Sequence, residues 1–148
     1  MEREEYMSLA LSLAREALLS GEVPVGCVIV DGGGKVIGRG RNRREETKNA
    51  SAHAEIEAIG EACRYKNDWR LSDCTMFVTL EPCPMCAGAI INARLGKLYY
   101  GAKEPQSGSC GSVINLFMER YGHSPEIVGG VCESECAAIL REFFTDKR

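Results

Sequence analysis

The chain has 148 residues, 45% hydrophobic and 26% charged, with 18 Lys and Arg against 21 Asp and Glu for a formal charge of −3. A chain of this size buries roughly 70% of its unfolded surface, so one domain over residues 1–148 is expected to build a core without staples. No run of about 18 apolar residues offers a membrane span, and the acidic balance argues against a broad basic face for nucleic acid.

The first helix is predicted over Glu4 to Ser20, where Tyr6, Leu9, Ala10, Leu13, Ala14, Ala17 and Leu18 recur every three or four residues before Gly21. Val25 to Asp31 reads as a buried strand, Gly32-Gly33-Gly34 as a turn, and Lys35 to Arg39 as the returning strand of a hairpin. Asn42 to Ser51 reads as a polar loop. A second helix starts near Ala52 or His53 and carries Ile56, Ile59, Ala62 and Cys63 on one face. Thr75 to Leu80 is a strand that Pro82 and Pro84 end, and Cys83 to Asn92 is an alanine-rich helix. Lys97 to Tyr100 and Ile127 to Val131 are further strands, with a short apolar element around Val113 to Phe117 between them. Glu133 to Phe144 closes the chain as a helix. This alternation predicts an α/β fold with helices on both faces of a five-stranded mixed sheet.

Eight cysteines raise the question of disulfides. Six of them (Cys27, Cys63, Cys74, Cys110, Cys132, Cys136) stand singly among apolar or helical residues. The start Met1-Glu2-Arg3-Glu4-Glu5 lacks the basic, then apolar, pattern of a secretory signal. Reduced thiols and a cytoplasmic location are therefore expected. Charge is uneven: from Lys35 to Lys48 six basic residues face only Glu45 and Glu46. Such a run reads equally as a solvated loop or as a phosphate-binding stretch.

The chemistry concentrates in His53-Ala54-Glu55 and Pro82-Cys83-Pro84-Met85-Cys86. One imidazole and two thiolates supply three tetrahedral zinc ligands and leave a fourth position for water. Cys83 and Cys86, three apart in the first turn of a predicted helix, share one side of it, where the helix N-terminus favours thiolate. His53 and Glu55 would point about 200° apart in mid-helix. At the first turn, side chains tilt toward the N-terminus and both can flank the space beyond the helix end. The site is expected where two helix N-termini meet, beyond the ends of the strands. Zinc with two thiolates and a neutral imidazole is formally neutral, so Glu55 is left to accept a proton from water.

Other readings stay open at this point. Cys83 and Cys86 alone could be a redox pair. A closed structural site would need a fourth ligand, with His123 or a scattered cysteine as candidates. A non-catalytic zinc-stabilised RNA-binding module is a third possibility.

The two motifs resemble those of the zinc-dependent cytidine/deoxycytidylate deaminase superfamily. Flanking residues narrow the resemblance: Glu22-Val23-Pro24-Val25-Gly26, Gly40-Arg41-Asn42-Arg43, Thr79-Leu80-Glu81 before the metal motif, Gly108-Ser109-Cys110-Gly111-Ser112 and Glu135-Cys136-Ala137-Ala138. Over almost the whole chain it is similar to the bacterial tRNA-specific adenosine deaminases, which convert the wobble adenosine of an anticodon to inosine. The resemblance implies a cytidine-deaminase-like three-layer α/β/α sandwich, a homodimer and one Zn2+ per subunit. It implies His53, Cys83 and Cys86 as ligands and Glu55 as proton shuttle. It places Asn42 on the flipped base, Val25 in the pocket wall, the Ala54 backbone against the purine and Glu104 near the RNA backbone. Glu104 stands where the family commonly has aspartate, and Arg43-Arg44-Glu45-Glu46 lacks a proline often found after the asparagine. Lys35 to Lys48, Arg94 to Lys103, Phe143, Phe144, Lys147 and Arg148 are candidate RNA contacts, with the two phenylalanines equally readable as core. A metabolic deaminase of free guanine, cytosine or a nucleoside would share every metal residue.

Overall fold

The computed structural model describes residues 1–146; Lys147 and Arg148 lie outside the described residues. The chain runs α1 (Arg3–Leu19), β1 (Gly26–Val30), β2 (Val36–Arg41), α2 (Arg44–Thr47), α3 (Ala54–Lys66), β3 (Thr75–Leu80), α4 (Pro84–Asn92), β4 (Lys97–Ala102), a 3-10 turn (Leu116–Met118), β5 (Glu126–Val128) and α5 (Glu133–Asp146). The five strands form one sheet in the order β2-β1-β3-β4-β5. β1 pairs antiparallel with both β2 and β3, while β3, β4 and β5 run parallel. The sheet is mixed, as the alternation of elements predicts.

Alternation along the strands divides the core. Cys27, Ile29, Met76, Val78 and Leu98 point into a cluster with α3 and α4. Val28, Val30 and Phe77 point the other way, against Tyr6, Met7 and Ala10 of α1 and Cys136 of α5. Both faces are covered, giving the three-layer sandwich.

Small residues let α3 lie unusually close to the sheet. Gly38 and Gly40 of β2 face Ala54, Ala58 and Ala62 of α3, all three fully buried. A Cβ on Gly40 would sit 2.8 Å from the Ala58 nitrogen and closer still to the Ala54 carbonyl oxygen. The first turn of α3 is thereby seated against the end of β2, where Asn42 begins.

Several boundaries differ from the sequence reading. β2 continues to Arg41 because its register with β1 pairs Gly26 with Arg41. β5 is shorter, ending before Gly129 and Gly130, the latter at φ 84°. The polar stretch after Asn42 contains the short helix α2, because Glu22 reaches across from the end of α1. Its buried carboxylate accepts the N–H groups of Glu45 (3.2 Å) and Glu46 (2.8 Å), donors that a first turn leaves orphaned.

Candidate metal centre and active site

His53 and Cys83 occupy equivalent places: each is the N-cap of a helix, α3 and α4 respectively, and neither uses its side chain as the cap. N-cap residues normally spend a side-chain oxygen on the first free N–H groups. At α3 that duty passes to Asn42, whose Oδ1 accepts the Ala54 N–H at 3.0 Å while its Nδ2 donates to the Val23 carbonyl at 3.1 Å. At α4 Pro84 stands at the first helical position and has no N–H to satisfy. Both ligand-type side chains are free to face the space beyond the helix ends.

They meet there. His53 Nδ1 lies 3.7 Å from Cys83 Sγ and 3.5 Å from Cys86 Sγ, and the three donor atoms fall within 4.8 Å of one another. Zn–S and Zn–N bonds of about 2.3 and 2.05 Å at a tetrahedral angle put nitrogen and sulfur about 3.6 Å apart. The spacing therefore fits one tetrahedral zinc. It is the cluster among the described residues that could hold a metal ion, and His123 does not join it. His123 Nε2 pairs instead with the Leu95 carbonyl at 2.7 Å.

Electrostatics point the same way. A hydrogen bond from Cys86 pulls the Cys83 thiol down to about 4, against the opposing effect of burial, and the bond to His53 adds to the fall. Cys86, donating to Cys83 and fully buried, is pushed up. His53 is raised, first by its bond with Cys83. Burial lifts the Glu55 carboxyl to about 7, with the Cys83 thiolate reinforcing it. Two thiols and a carboxylate so crowded compete for protons; a dication among them would favour both thiolates together. The donor set fits zinc.

Glu55 is 4% exposed on the first turn of α3 and lines, with His53 and Cys83, a cavity of about 260 Å³. Val25, Asn42 and Glu104, all expected at the site, line it too. Ala54 is fully buried beneath, its N–H held by Asn42. Arg44, from the basic stretch named as a candidate RNA contact, lines the cavity as well, and so do Glu81, Gln106 and Ser107, which the sequence reading did not assign to the site. Val23, Leu80, Glu104, Gln106 and Phe144 continue into an adjoining groove with Lys103 and Leu140. The two phenylalanines separate: Phe143 is buried, whereas Phe144 is 59% exposed and lines both spaces.

The basic stretch is largely spent on internal pairs. Arg41 and Arg43 bind Glu46, and Arg43 also binds Glu57 at 2.7 Å. Lys35 lies over the Tyr65 ring and donates to its hydroxyl. Arg44 reaches the cavity. Arg94, at the far end of α4, bonds the Ile91 carbonyl and sits near Trp69, away from the site.

A mixed sheet with a His-Cys-Cys cluster at two helix N-termini and a buried glutamate beside it is the arrangement of a deaminase. The chain belongs to the MafB19-like deaminase family, whose model matches residues 1–148. Curated relatives include tRNA-specific adenosine deaminases from Bacillus subtilis (strain 168), 45% identical over 98% of this chain and 90% of that protein. Another, from Agrobacterium fabrum (strain C58), is 46% identical over 99% and 97%. A solved structure from studies of A-to-I editing by tRNA:A34 deaminases at the wobble position of transfer RNA superposes with TM-score 0.88. It is 44% identical, covering 91% of this chain and 98% of that one. A guanine deaminase from Bacillus subtilis matches less fully, at TM-score 0.66 and 38% identity over 70% of this chain and 66% of that one.

Proposed function

We propose that this protein deaminates adenosine to inosine at the wobble position of a tRNA anticodon, with water as co-substrate and ammonia as leaving product. One observation carries the reading beyond deaminase chemistry. The cavity over Glu55, about 260 Å³, is scaled to a single nucleobase, below the roughly 300–1,000 Å³ of sites that enclose drug-sized ligands. It opens into a groove flanked by the exposed Phe144 ring and by Lys103. A base extruded from a loop would fill the first, and its neighbours would stack and pair charge along the second. A free purine would use only the cavity. The relatives named above support the same substrate.

In this reading His53, Cys83 and Cys86 hold one zinc per subunit, and zinc supplies the Lewis acidity that makes water nucleophilic near neutral pH. Glu55 does the proton work. It takes a proton from the attacking water and passes it to N1 of the purine, so that C6 accepts the oxygen. It then takes the proton of the hydroxyl now on C6 and delivers it to the amino group; the C6–N bond breaks and ammonia leaves. One carboxylate acts as base and then as acid, a role suited to a group that burial holds near neutrality. Asn42 keeps one Nδ2 hydrogen for the base once Val23 and Ala54 are satisfied. Val25 and the Ala54 backbone bound the purine, and Glu104 and Arg44 stand at the rim for the flanking nucleotides.

The chain acts as one catalytic domain, in the cytoplasm, and pairs as a homodimer. Val113, Ile114, Met118 and Tyr121, all exposed within nine residues around the 3-10 turn, support pairing, because clustered exposed apolar groups mark interaction sites.

The test is incubation of the zinc-loaded protein with total tRNA, followed by mapping of adenosine-to-inosine changes. Free adenosine, guanine and cytidine run beside it. Inosine at position 34 with no turnover of free bases is expected. Ammonia from guanine or cytidine, with tRNA unchanged, would replace this reading with a metabolic deaminase.

A further inference from the structure

Glu81 ends the stretch between β3 and Pro82 and is 2% exposed. Its carboxylate accepts from four donors of one irregular segment. The Glu104 N–H reaches Oε1 at 3.1 Å, and the N–H groups of Cys110 and Ser112 reach Oε2 at 2.8 and 3.2 Å. The Ser112 hydroxyl also bonds Oε1. The backbone adds two ties on either side: Glu81 N–H to the Ala102 carbonyl at 2.8 Å, and Ser109 N–H to the Pro82 carbonyl at 2.9 Å. Gly108 passes so near that a Cβ there would lie 2.5 Å from both Glu81 Oε2 and the Glu104 carbonyl.

Residues 104–112 contain no strand or helix; backbone bonds such as Gly108 N–H to the Glu104 carbonyl and Gly111 N–H to the Ile114 carbonyl, each 2.9 Å, fold the segment on itself. The buried group is the carboxylate itself, which must find its partners within the protein, and with about four acceptor positions it can serve all four donors from one point. The same segment contributes Glu104, Gln106 and Ser107 to the cavity. We propose that Glu81 is a positioning residue that clamps residues 104–112 against Pro82–Cys83 and so sets the shape of the substrate cavity's wall. It acts on the fit of the base and leaves the proton transfers to Glu55. The inference rests on the proposed nucleobase site for its kinetic consequence, but not for the clamp itself.

Glu81→Gln is the sharp variant: an amide replaces one acceptor oxygen with an NH2 group that faces N–H donors. In the full-length, zinc-loaded protein, KM for an anticodon stem-loop is expected to rise at least about tenfold with kcat within about threefold. Metal content should match the parent. Gly108→Ala pushes on the same carboxylate and should give the same KM-dominated defect, with the double variant no worse than the stronger single one. Ser112→Ala, which removes one donor and adds no clash, should give a smaller rise and serves if Glu81→Gln does not fold. Amide hydrogen exchange at Cys110 and Ser112 reads the clamp without any substrate and should accelerate in each variant that folds. Unchanged exchange, or an unchanged KM in a folded variant whose melting temperature has dropped, overturns the proposal. So does loss of metal in proportion to activity, which would assign Glu81 to Cys83 instead. A parent protein inactive on RNA would refute the substrate, while the exchange result would still decide the clamp.

Discussion

Gly40→Ala places one methyl group between β2 and the first turn of α3. The added carbon would sit 2.8 Å from the Ala58 nitrogen, where ordinary contact begins at 3.4 Å, and nearer still to the Ala54 oxygen. Both neighbours are backbone, so no side chain can swing aside. The helix must retreat by something on the order of 1 Å, and His53 and Glu55 ride on the turn that moves. Overpacking of this kind costs roughly 1–3 kcal/mol of stability. The catalytic cost is expected to be larger in proportion, because a 1 Å misplacement of reacting groups is worth on the order of 10²-fold in rate. Gly96→Ala is the control. Its Cβ would strike the Ser72 carbonyl oxygen just before β4 begins, at the opposite end of the sheet from Cys83. Steady-state kinetics on an anticodon stem-loop, with zinc content and melting temperature measured on the same samples, separates the two effects. Both variants should lose similar stability, and Gly40→Ala alone should lose about a hundredfold in kcat/KM. Equal kcat/KM values for the two variants would refute the claim that the close approach of α3 to β2 sets the active-site geometry.

Three further outcomes are expected. Glu55→Ala should retain zinc, measured by metal analysis, and lose at least about 10²-fold in kcat. In the chelator-treated protein, Cys83 should be alkylated by iodoacetamide well before the other seven cysteines, since its thiol is pulled down to about 4; added zinc should suppress the labelling, as peptide mass spectrometry would show. Burial pushes Cys74, Cys110 and Cys136 up to about 12 from an ordinary 9.0. Folded thiols with raised pKa values keep protons that the unfolded chain releases, so their contribution is complete below about pH 9 and is lost as pH rises toward 12. The melting temperature should fall through that window, and Cys136→Ala should flatten the fall.

The His53, Cys83 and Cys86 cluster was legible in sequence because metal-binding chemistry admits few residue types. An imidazole and a pair of thiols three apart keep their meaning wherever the chain places them. The strands were legible for a similar reason: burial on both faces leaves β1 and β3 almost wholly apolar. What escaped was written across the chain instead of along it. Glu22 organises α2 from 23 residues away, and Glu81 holds Cys110 and Ser112 from 29 and 31. Neither pairing leaves a local pattern, since an isolated glutamate beside a strand reads as solvated surface until the fold buries it. Asn42 illustrates the same limit. The resemblance assigned it to the substrate; that its Oδ1 also caps α3 through the Ala54 N–H appears only in the fold. The Lys35 to Lys48 run read equally as solvated loop or phosphate-binding stretch because Glu57, which neutralises part of it, lies in another element.

Delegating the cap of α3 to Asn42 has a consequence for how the proposed metal would be acquired. In a zinc finger the ion must organise the chain that binds it, and removal of the ion melts the domain. Here neither helix start uses the side chain of His53 or Cys83 as its cap, so the proposed ligands would converge on helix ends that do not depend on the ion. The protein should mature in two separable stages, folding first and loading afterward. It should also survive stripping and reconstitution, which opens the site to replacement of zinc by a spectroscopically visible ion such as cobalt.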